Sequence, residues 1–472
     1  MKSIAFIDAE INPNNDKIID IGSIKNDGST FHSNAISDFV KYLDGTEYIC
    51  GHNIIDHDLK YLKHFIKEAK IDLSFSIDTL YLSPLLFPTR PYHALVKDDK
   101  LQTDEINNPL NDSMKARDLL YDEINAFNQL DNYIKGILYS LLGDKPGFSG
   151  FFKYLDYKQH DSDIRNTIKL KFNSHICGNC NLDKLILENP IELAYSLALI
   201  NASSRYSITP PWVLKRYPMV ERVIYMLRSS RCLSGCKYCN ESLNVFKGLK
   251  SFFGYDSFRT YGGEPLQEKA VNAAIENKSL LAVFPTGGGK SLTFQLPALM
   301  SGITSKGLTV VISPLQSLMK DQVDNLERNQ ITEAVTINGM LDPIERSKSI
   351  ERVANGTASL LYISPESLRS RTIENLLLGR NVVRFVIDEA HCFSAWGQDF
   401  RVDYLYIGEF IKNLQDKKNL KESIPISCFT ATAKQKVIED IIEYFREKLS
   451  LEVKSILVCK FLGYHFVVNH PA

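Results

Sequence analysis

The 472-residue sequence predicts an α/β protein with a parallel-sheet lobe in its C-terminal half, a smaller α/β unit at its N-terminus and a mostly helical middle. Three observations carry this. From Leu280 onward, short β-branched apolar runs alternate with helical patterns, as in a parallel sheet covered on both faces. The chain opens on an alternating strand-like run that carries two acids, Asp8 and Glu10. Between these parts lies a helix-patterned segment with two Cys-x-x-Cys pairs. The length suits two or three domains, each able to bury a core. The divisions fall at 1–125, 126–250 and 251–450, with an atypical tail at 451–472.

Bulk numbers narrow the class. With 44% apolar and 24% charged residues, the composition is that of an ordinary globular protein. No apolar run approaches the ~20 residues that a membrane span needs. Acids arrive too early, at Asp8 and Glu10, for a signal peptide, so the expected compartment is the cytoplasm. There, nine cysteines read as thiols or metal ligands rather than disulfides. A net charge of −1 does not speak to nucleic acid, but its distribution does. Residues 1–120 carry 13 Lys/Arg against 19 Asp/Glu, whereas 201–250 carry nine Lys/Arg against Glu221 and Glu241 alone. Tyr206, Trp212, Tyr217, Tyr225 and Tyr238 interleave with that basic segment. It reads either as a surface for phosphates and stacked bases or as a solvated face over core aromatics.

At the N-terminus, Ser3 to Glu10 reads as a strand whose Asp8 and Glu10 share one face. Lys17–Ile24 gives a second strand and 29–32 a third. Asp58 leads into Leu59, Leu62 and Ile66 at helical spacing, and Asp112 opens another helix. Four acids converging from strand and helix ends suit two Mg²⁺ or Mn²⁺ ions, which favour oxygen ligands and drive phosphodiester hydrolysis. The order of Asp8 and Glu10, then Gly51-His-Asn with His57-Asp58, then Asp112 resembles the DEDD exonucleases of the RNase H-like fold. The resemblance covers about residues 1–125. It implies a nuclease-like metal site of Asp8, Glu10, Asp58 and Asp112. Asn107 stands where that family has its general-base His.

In the middle segment, Cys177-Gly-Asn-Cys180 and Cys236-Lys-Tyr-Cys239 are separated by 55 residues, with Cys232 and His175 beside them. Two such pairs usually mean tetrahedral metal thiolates. Zn²⁺ is the first expectation for Cys177, Cys180, Cys236 and Cys239, and an iron–sulfur cluster is the alternative.

The C-terminal half carries the sharpest motif. Leu280–Val283 reads as a buried strand, Phe284-Pro-Thr-Gly-Gly-Gly-Lys-Ser291 follows, and a helix begins at Leu292. Strand, Gly-rich turn, Lys-Ser and helix form a phosphate-binding loop. Gly287, Gly288 and Gly289 let backbone N–H groups face phosphate oxygens. Lys290 would reach the β/γ-phosphates and Ser291 would bind Mg²⁺. The general pattern opens with Gly, where this chain has Phe284. About 100 residues later, Val382–Ile387 leads into Asp388-Glu389-Ala-His391. Asp388 at a strand end can hold the Mg²⁺, and Glu389 can polarise the attacking water.

Together with Ser313–Val323, Ser364-Pro-Glu366 and Thr430-Ala-Thr432, these motifs resemble the first motor lobe of RecQ-type superfamily 2 DNA helicases. The aromatic-rich loop Cys392 to Tyr404 is similar to the one RecQ proteins place after the acidic box. The resemblance covers about 252–445. It implies a RecA-like fold, ATP and Mg²⁺ as cofactors, and DNA with single-stranded regions or junctions as partner. It also implies strand separation in the 3′→5′ sense, in DNA repair or recombination. It assigns Lys290, Asp388, Glu389 and His391 to catalysis, and Gln267, Thr286, Gly287, Gly288, Gly289, Lys290 and Ser291 to ATP. Trp396, Phe400, Arg401, Thr430 and Thr432 are assigned to DNA coupling. Gln267 would read adenine, preceded by the pair Phe258-Arg259, with Tyr261 to Pro265 inserted between. The family's second motor lobe has no counterpart before Ala472, so the tail is expected to be a truncated or frameshifted end, the alternative being an extra strand of the first lobe. The alternatives are a metal-dependent 3′→5′ exonuclease with a regulatory ATPase lobe, and a non-catalytic DNA-binding fragment.

Overall fold

The computed structural model describes residues 2–90, 92–95, 108–159, 163–202, 209–229, 232, 235–285, 287–394, 401–420, 422–431, 434–451 and 455–458. They fold as two compact units, one of 1–172 with 182–212 and the other of 173–181 with 213–472. The helical middle is thus shared between the units, and the segment carrying Cys177 and Cys180 belongs to the second.

The first unit is built on a five-stranded mixed sheet. Its strands are β1 (Ile4–Ile11), β2 (Ile18–Lys25), β3 (Thr30–His32), β4 (Tyr48–Gly51) and β5 (Ser76–Asp78), in the order β3-β2-β1-β4-β5. β1, β2 and β3 pair antiparallel, and β4 and β5 add in parallel. Helix Pro109–Gln129 starts where Asn108 Oδ1 accepts the Leu110 N–H at 3.0 Å, with Pro109 preset at the first position. It packs close to β2 because Gly22 has no side chain: a Cβ there would lie 1.9 Å from Leu110 N. That approach carries Asp112, in the helix's first turn, toward β1.

The second unit is a seven-stranded parallel sheet. After β6 (Leu280–Val283) come β7 (Leu308–Ile312), β8 (Ala334–Ile337), β9 (Leu360–Ile363), β10 (Val382–Ile387), β11 (Ile426–Thr430) and β12 (Ser455–Val458). The order is β12-β6-β11-β10-β7-β9-β8, and every pairing is parallel. Side chains alternate between faces. In β6, Leu281 and Val283 join one core, and Leu280 and Ala282 join the other. Both faces are covered, which is why these strands read as continuous apolar runs rather than alternating ones. Among the described residues, no helix is long and apolar enough to cross a membrane.

The basic, aromatic segment resolves in part. Tyr225 and Tyr238 are buried, and Arg228 donates to the carbonyls of His175 at 2.7 Å and Thr304 at 3.0 Å. For these residues the core reading holds; Arg205, Tyr206 and Arg231 lie outside the described residues. Helix Val220–Arg228 is anchored by Glu221. Its carboxylate accepts from Arg380 Nε and from the Asn381 N–H, each at 3.1 Å. Arg380 also donates to the Val353 and Lys306 carbonyls, and both side chains of the pair are almost wholly buried. Removing one partner strands the other charge in a dry site. Glu221→Ala is therefore expected to destabilise the second unit by about 3–5 kcal/mol. A denaturant midpoint unchanged from the parent would refute this.

Candidate functional site

The phosphate loop leaves β6 and turns through Gly287 (φ 73°) and Gly289 (φ 64°), both in the left-handed region that favours glycine. Phe284, where the general pattern has Gly, is buried, and its N–H donates to the Thr430 carbonyl at 3.1 Å. The loop delivers Lys290 to the acidic pair at the end of β10. Lys290 Nζ lies 2.6 Å from Asp388 Oδ1 and 2.9 Å from Glu389 Oε1. Glu389 holds a left-handed backbone (φ 49°, ψ 47°), unusual for a residue with a side chain. Asp388 is fixed by its N–H on the Ile312 carbonyl at 2.9 Å and by Tyr404 Oη on its own carbonyl at 2.9 Å. These groups open onto a cleft of about 250 Å³ that Ser291, Gln322 and Tyr362 also line.

Burial opposes the charge on Lys290, but the two carboxylates outweigh it and raise its pKa. The Glu389 carboxyl is held down at about 2, first by its hydrogen bond with His391 and then by Lys290. His391 is raised to about 9 by its contacts with Cys392 and Glu389. At neutral pH the site therefore holds a lysinium, an ionised Glu389 and a protonated His391. His391 Nδ1 also sits 3.2 Å from Thr430 Oγ1, which links the acidic box to the end of β11.

Gln267 is buried in helix Leu266–Ile275. Its Oε1 accepts the Arg259 N–H at 2.8 Å, and its Nε2 donates to the carbonyls of Gly289 at 3.1 Å and Gly288 at 3.3 Å. The expected adenine reader is thus bound to the phosphate loop itself. Phe258 is buried, and Tyr261 of the inserted segment donates its hydroxyl to the Gly288 carbonyl. The Tyr261 ring meets Phe284 edge-on, centroids 5.7 Å apart. The two departures from pattern, Phe284 and the insertion, therefore touch. Arg401 donates its Nη1 to the Pro314 carbonyl at 3.2 Å. Thr286, Trp396, Phe400 and Thr432 lie outside the described residues.

In the first unit, Asp8 and Glu10 stand on β1, Asp58 opens helix Asp58–Glu68, and Asp112 opens helix Pro109–Gln129. Asp58 Oδ1 accepts the Ala9 N–H at 2.9 Å, which ties the helix start to β1. The four acids do sense one another. Asp8 is pushed up to about 8, first by burial and then by Asp58, Asp112 and Glu10. Among the described residues, however, these four carboxylates are not among the groups of three or more ligand atoms that come within 4.8 Å of one another. Sequence reasoning passed over Asp78. Its buried carboxylate accepts from the Asn53, Ile55 and Leu80 N–H groups at 2.9–3.0 Å and so shapes the turn that presents Asp58. Its place before Thr79, capping helix Thr79–Leu86, was the available signal.

The cysteines need a correction. The four sulfurs brought within 4.8 Å of one another are those of Cys177, Cys232, Cys236 and Cys239. Cys232 takes the place expected for Cys180. The four-sulfur donor set suits Zn²⁺.

Residues 264–441 match the DEAD/DEAH box helicase family. This stretch is a DEAD/DEAH box helicase domain. It spans the Gln267 helix, the phosphate loop, the acidic box and β11. The ATP-dependent DNA helicase hus2/rqh1 of Schizosaccharomyces pombe is 40% identical over 221 residues, 45% of this chain and 16% of that protein. The ATP-dependent DNA helicase RecQ of Haemophilus influenzae is 40% identical over 200 residues, 42% of this chain and 30% of that one. The ATP-dependent helicase SGS1 of Saccharomyces cerevisiae is 40% identical over 211 residues, 44% of this chain and 14% of that one. The chain thus spans less than a third of the length of each of these relatives.

Proposed function

We propose that the helicase domain is an ATP-hydrolysing motor lobe of RecQ type, whose turnover is coupled to single-stranded DNA and serves strand separation in DNA repair or recombination. One observation carries the reading: Lys290 bridges Asp388 and Glu389 beneath a phosphate loop, at the carboxyl ends of parallel strands. Ligands collect at that edge of such sheets. Lys290 is drawn from the carboxylates to the β/γ-phosphates when ATP enters. Ser291 and Asp388 would hold Mg²⁺, which neutralises phosphate charge. Freed from Lys290, Glu389 keeps its hydrogen bond with His391 and accepts a proton from the attacking water. The His391–Thr430 contact connects that event to the end of β11. Arg401, with Trp396 and Phe400, supplies cationic and aromatic groups that suit a strand of any sequence.

A second reading concerns the first unit. We infer there, from the order of the four acids along the chain and their placement on β1 and on two helix starts, a metal-dependent nuclease site of Asp8, Glu10, Asp58 and Asp112.

Two assays test these readings. ATP hydrolysis should rise with single-stranded DNA and fall by at least about 100-fold in Lys290→Ala. Turnover indifferent to DNA would reject the motor reading. For the nuclease site, the linkage sign is fixed. Asp8 titrates higher folded than unfolded, so its contribution to stability is full at low pH and is lost as pH rises toward about 8. In chelator, the melting temperature of the first unit should therefore fall between about pH 5 and 8. Mn²⁺ should restore it and support DNA degradation, and Asp8→Asn should remove both effects. Degradation that survives Asp8→Asn would reject the site.

A further inference from the structure

We infer that Cys177, Cys232, Cys236 and Cys239 hold a single Zn²⁺ as a mononuclear tetrathiolate, and that this centre braces the helix that leaves the phosphate loop. The first half of the inference rests on sulfur geometry. All four Sγ atoms lie within 4.8 Å of one another, and those of Cys177 and Cys239 are 3.7 Å apart. A tetrahedron with Zn–S bonds of about 2.3 Å sets its sulfurs about 3.8 Å apart. An iron–sulfur cube would interpose iron and sulfide between the cysteines and spread them further.

The backbone is already arranged around thiolates. The Cys236 N–H points at Cys232 Sγ (3.3 Å), the Gly178 N–H at Cys236 Sγ (3.4 Å) and the Cys232 N–H at Cys239 Sγ (3.5 Å). Such donors spread the negative charge of a metal-bound sulfur. Gly235, at φ 62°, makes the left-handed turn that brings Cys232 back over Cys236. Cys180 is half-buried against the same apolar cluster but is not one of the four.

The second half rests on what the knuckle touches. Cys177, Tyr238 and Cys239 share one apolar cluster with Leu249, Val271 and Leu296. Leu249 lies in helix Val245–Phe253, Val271 in the helix of Gln267, and Leu296 in helix Leu292–Ser305, which begins directly after Ser291. Gly248 lets the first of these helices sit tightly on the last: a Cβ there would lie 2.8 Å from Met300 Sδ. Gln267 in turn holds the carbonyls of Gly288 and Gly289. The metal joins segment 173–181 to residues 232–239 and so closes the outer wall against which both nucleotide-site helices pack. Segment 173–181 reaches this wall across a long stretch of sequence, and one bond set replaces the core it is too short to build.

The experiment uses the full chain. Metal analysis should find one zinc per chain, without iron or sulfide, and Co²⁺ exchanged into the site should give the absorption of a tetrahedral thiolate complex. Cys180→Ser should keep the metal and Cys232→Ser should lose it. Binding of Mg·ADP, measured by calorimetry, should weaken at least tenfold in Cys232→Ser, and also in the parent chain stripped by chelator, with recovery on adding Zn²⁺. The stripped parent chain keeps the test open if Cys232→Ser does not fold. Iron with sulfide, or metal lost from Cys180→Ser and kept by Cys232→Ser, overturns the site. Zinc lost with nucleotide affinity intact overturns the brace. The brace rests on the nucleotide reading above, whereas the metal analysis does not: Lys290→Ala should bind nucleotide poorly and still carry its zinc. A parent chain that binds zinc but no nucleotide would end the motor reading and the brace and leave the zinc site standing.

Discussion

A lysine ammonium held between two carboxylates is the interaction on which the motor lobe turns. Lys290 lies within 3 Å of both Asp388 and Glu389, in a site that burial makes poor in solvent. A buried cation there needs paired anions, and buried anions need the cation. In the proposed motor, each member would exchange its partner for a piece of Mg·ATP. The phosphates offer Lys290 more negative charge than the acids do.

Much of the second unit serves to bring those three groups together. Lys290 and Asp388 are separated by 97 residues in sequence. The parallel sheet closes that gap by ending β6, β10 and β11 at one edge. Positive-φ glycines let the loop fold over that edge, and the left-handed backbone of Glu389 sets the carboxylate on it. Behind the loop, Gln267 and Tyr261 hold the carbonyls of Gly288 and Gly289. The Gly288 N–H folds back on the Pro285 carbonyl at 2.9 Å.

The strand-end motifs were legible because each is contiguous: a strand, a turn and a charged residue in one stretch. Hence the phosphate loop, the acidic box and the strands that lead into them, β6 and β10, could be read from local pattern. Contacts made by folding could not. The Cys-x-x-Cys spacing pointed to Cys180, but the turn at Gly235 carries Cys232 into the site instead, and no spacing rule encodes a left-handed turn. The aromatic, basic segment read either as a surface for phosphates and bases or as a solvated face over core aromatics. On helix Val220–Arg228, however, Tyr225 faces inward, and Glu221 finds Arg380, 159 residues away. The Tyr261–Phe284 contact joins two local oddities that sequence alone leaves unrelated. In the first unit the four acids were readable by position. The shaping of Asp58 by Asp78 was not, because it depends on how the turn after β4 crosses β5.

The central claim is that Lys290 and Glu389 divide the work, Lys290 holding phosphate and Glu389 acting on water. Single-turnover hydrolysis of ATP by an excess of the Glu389→Gln chain, with Mg²⁺ and single-stranded DNA present, tests it most directly because it separates binding from chemistry. The account predicts that ATP is fully bound while the chemical step slows by about 100-fold or more. Hydrolysis at the parent rate would contradict it.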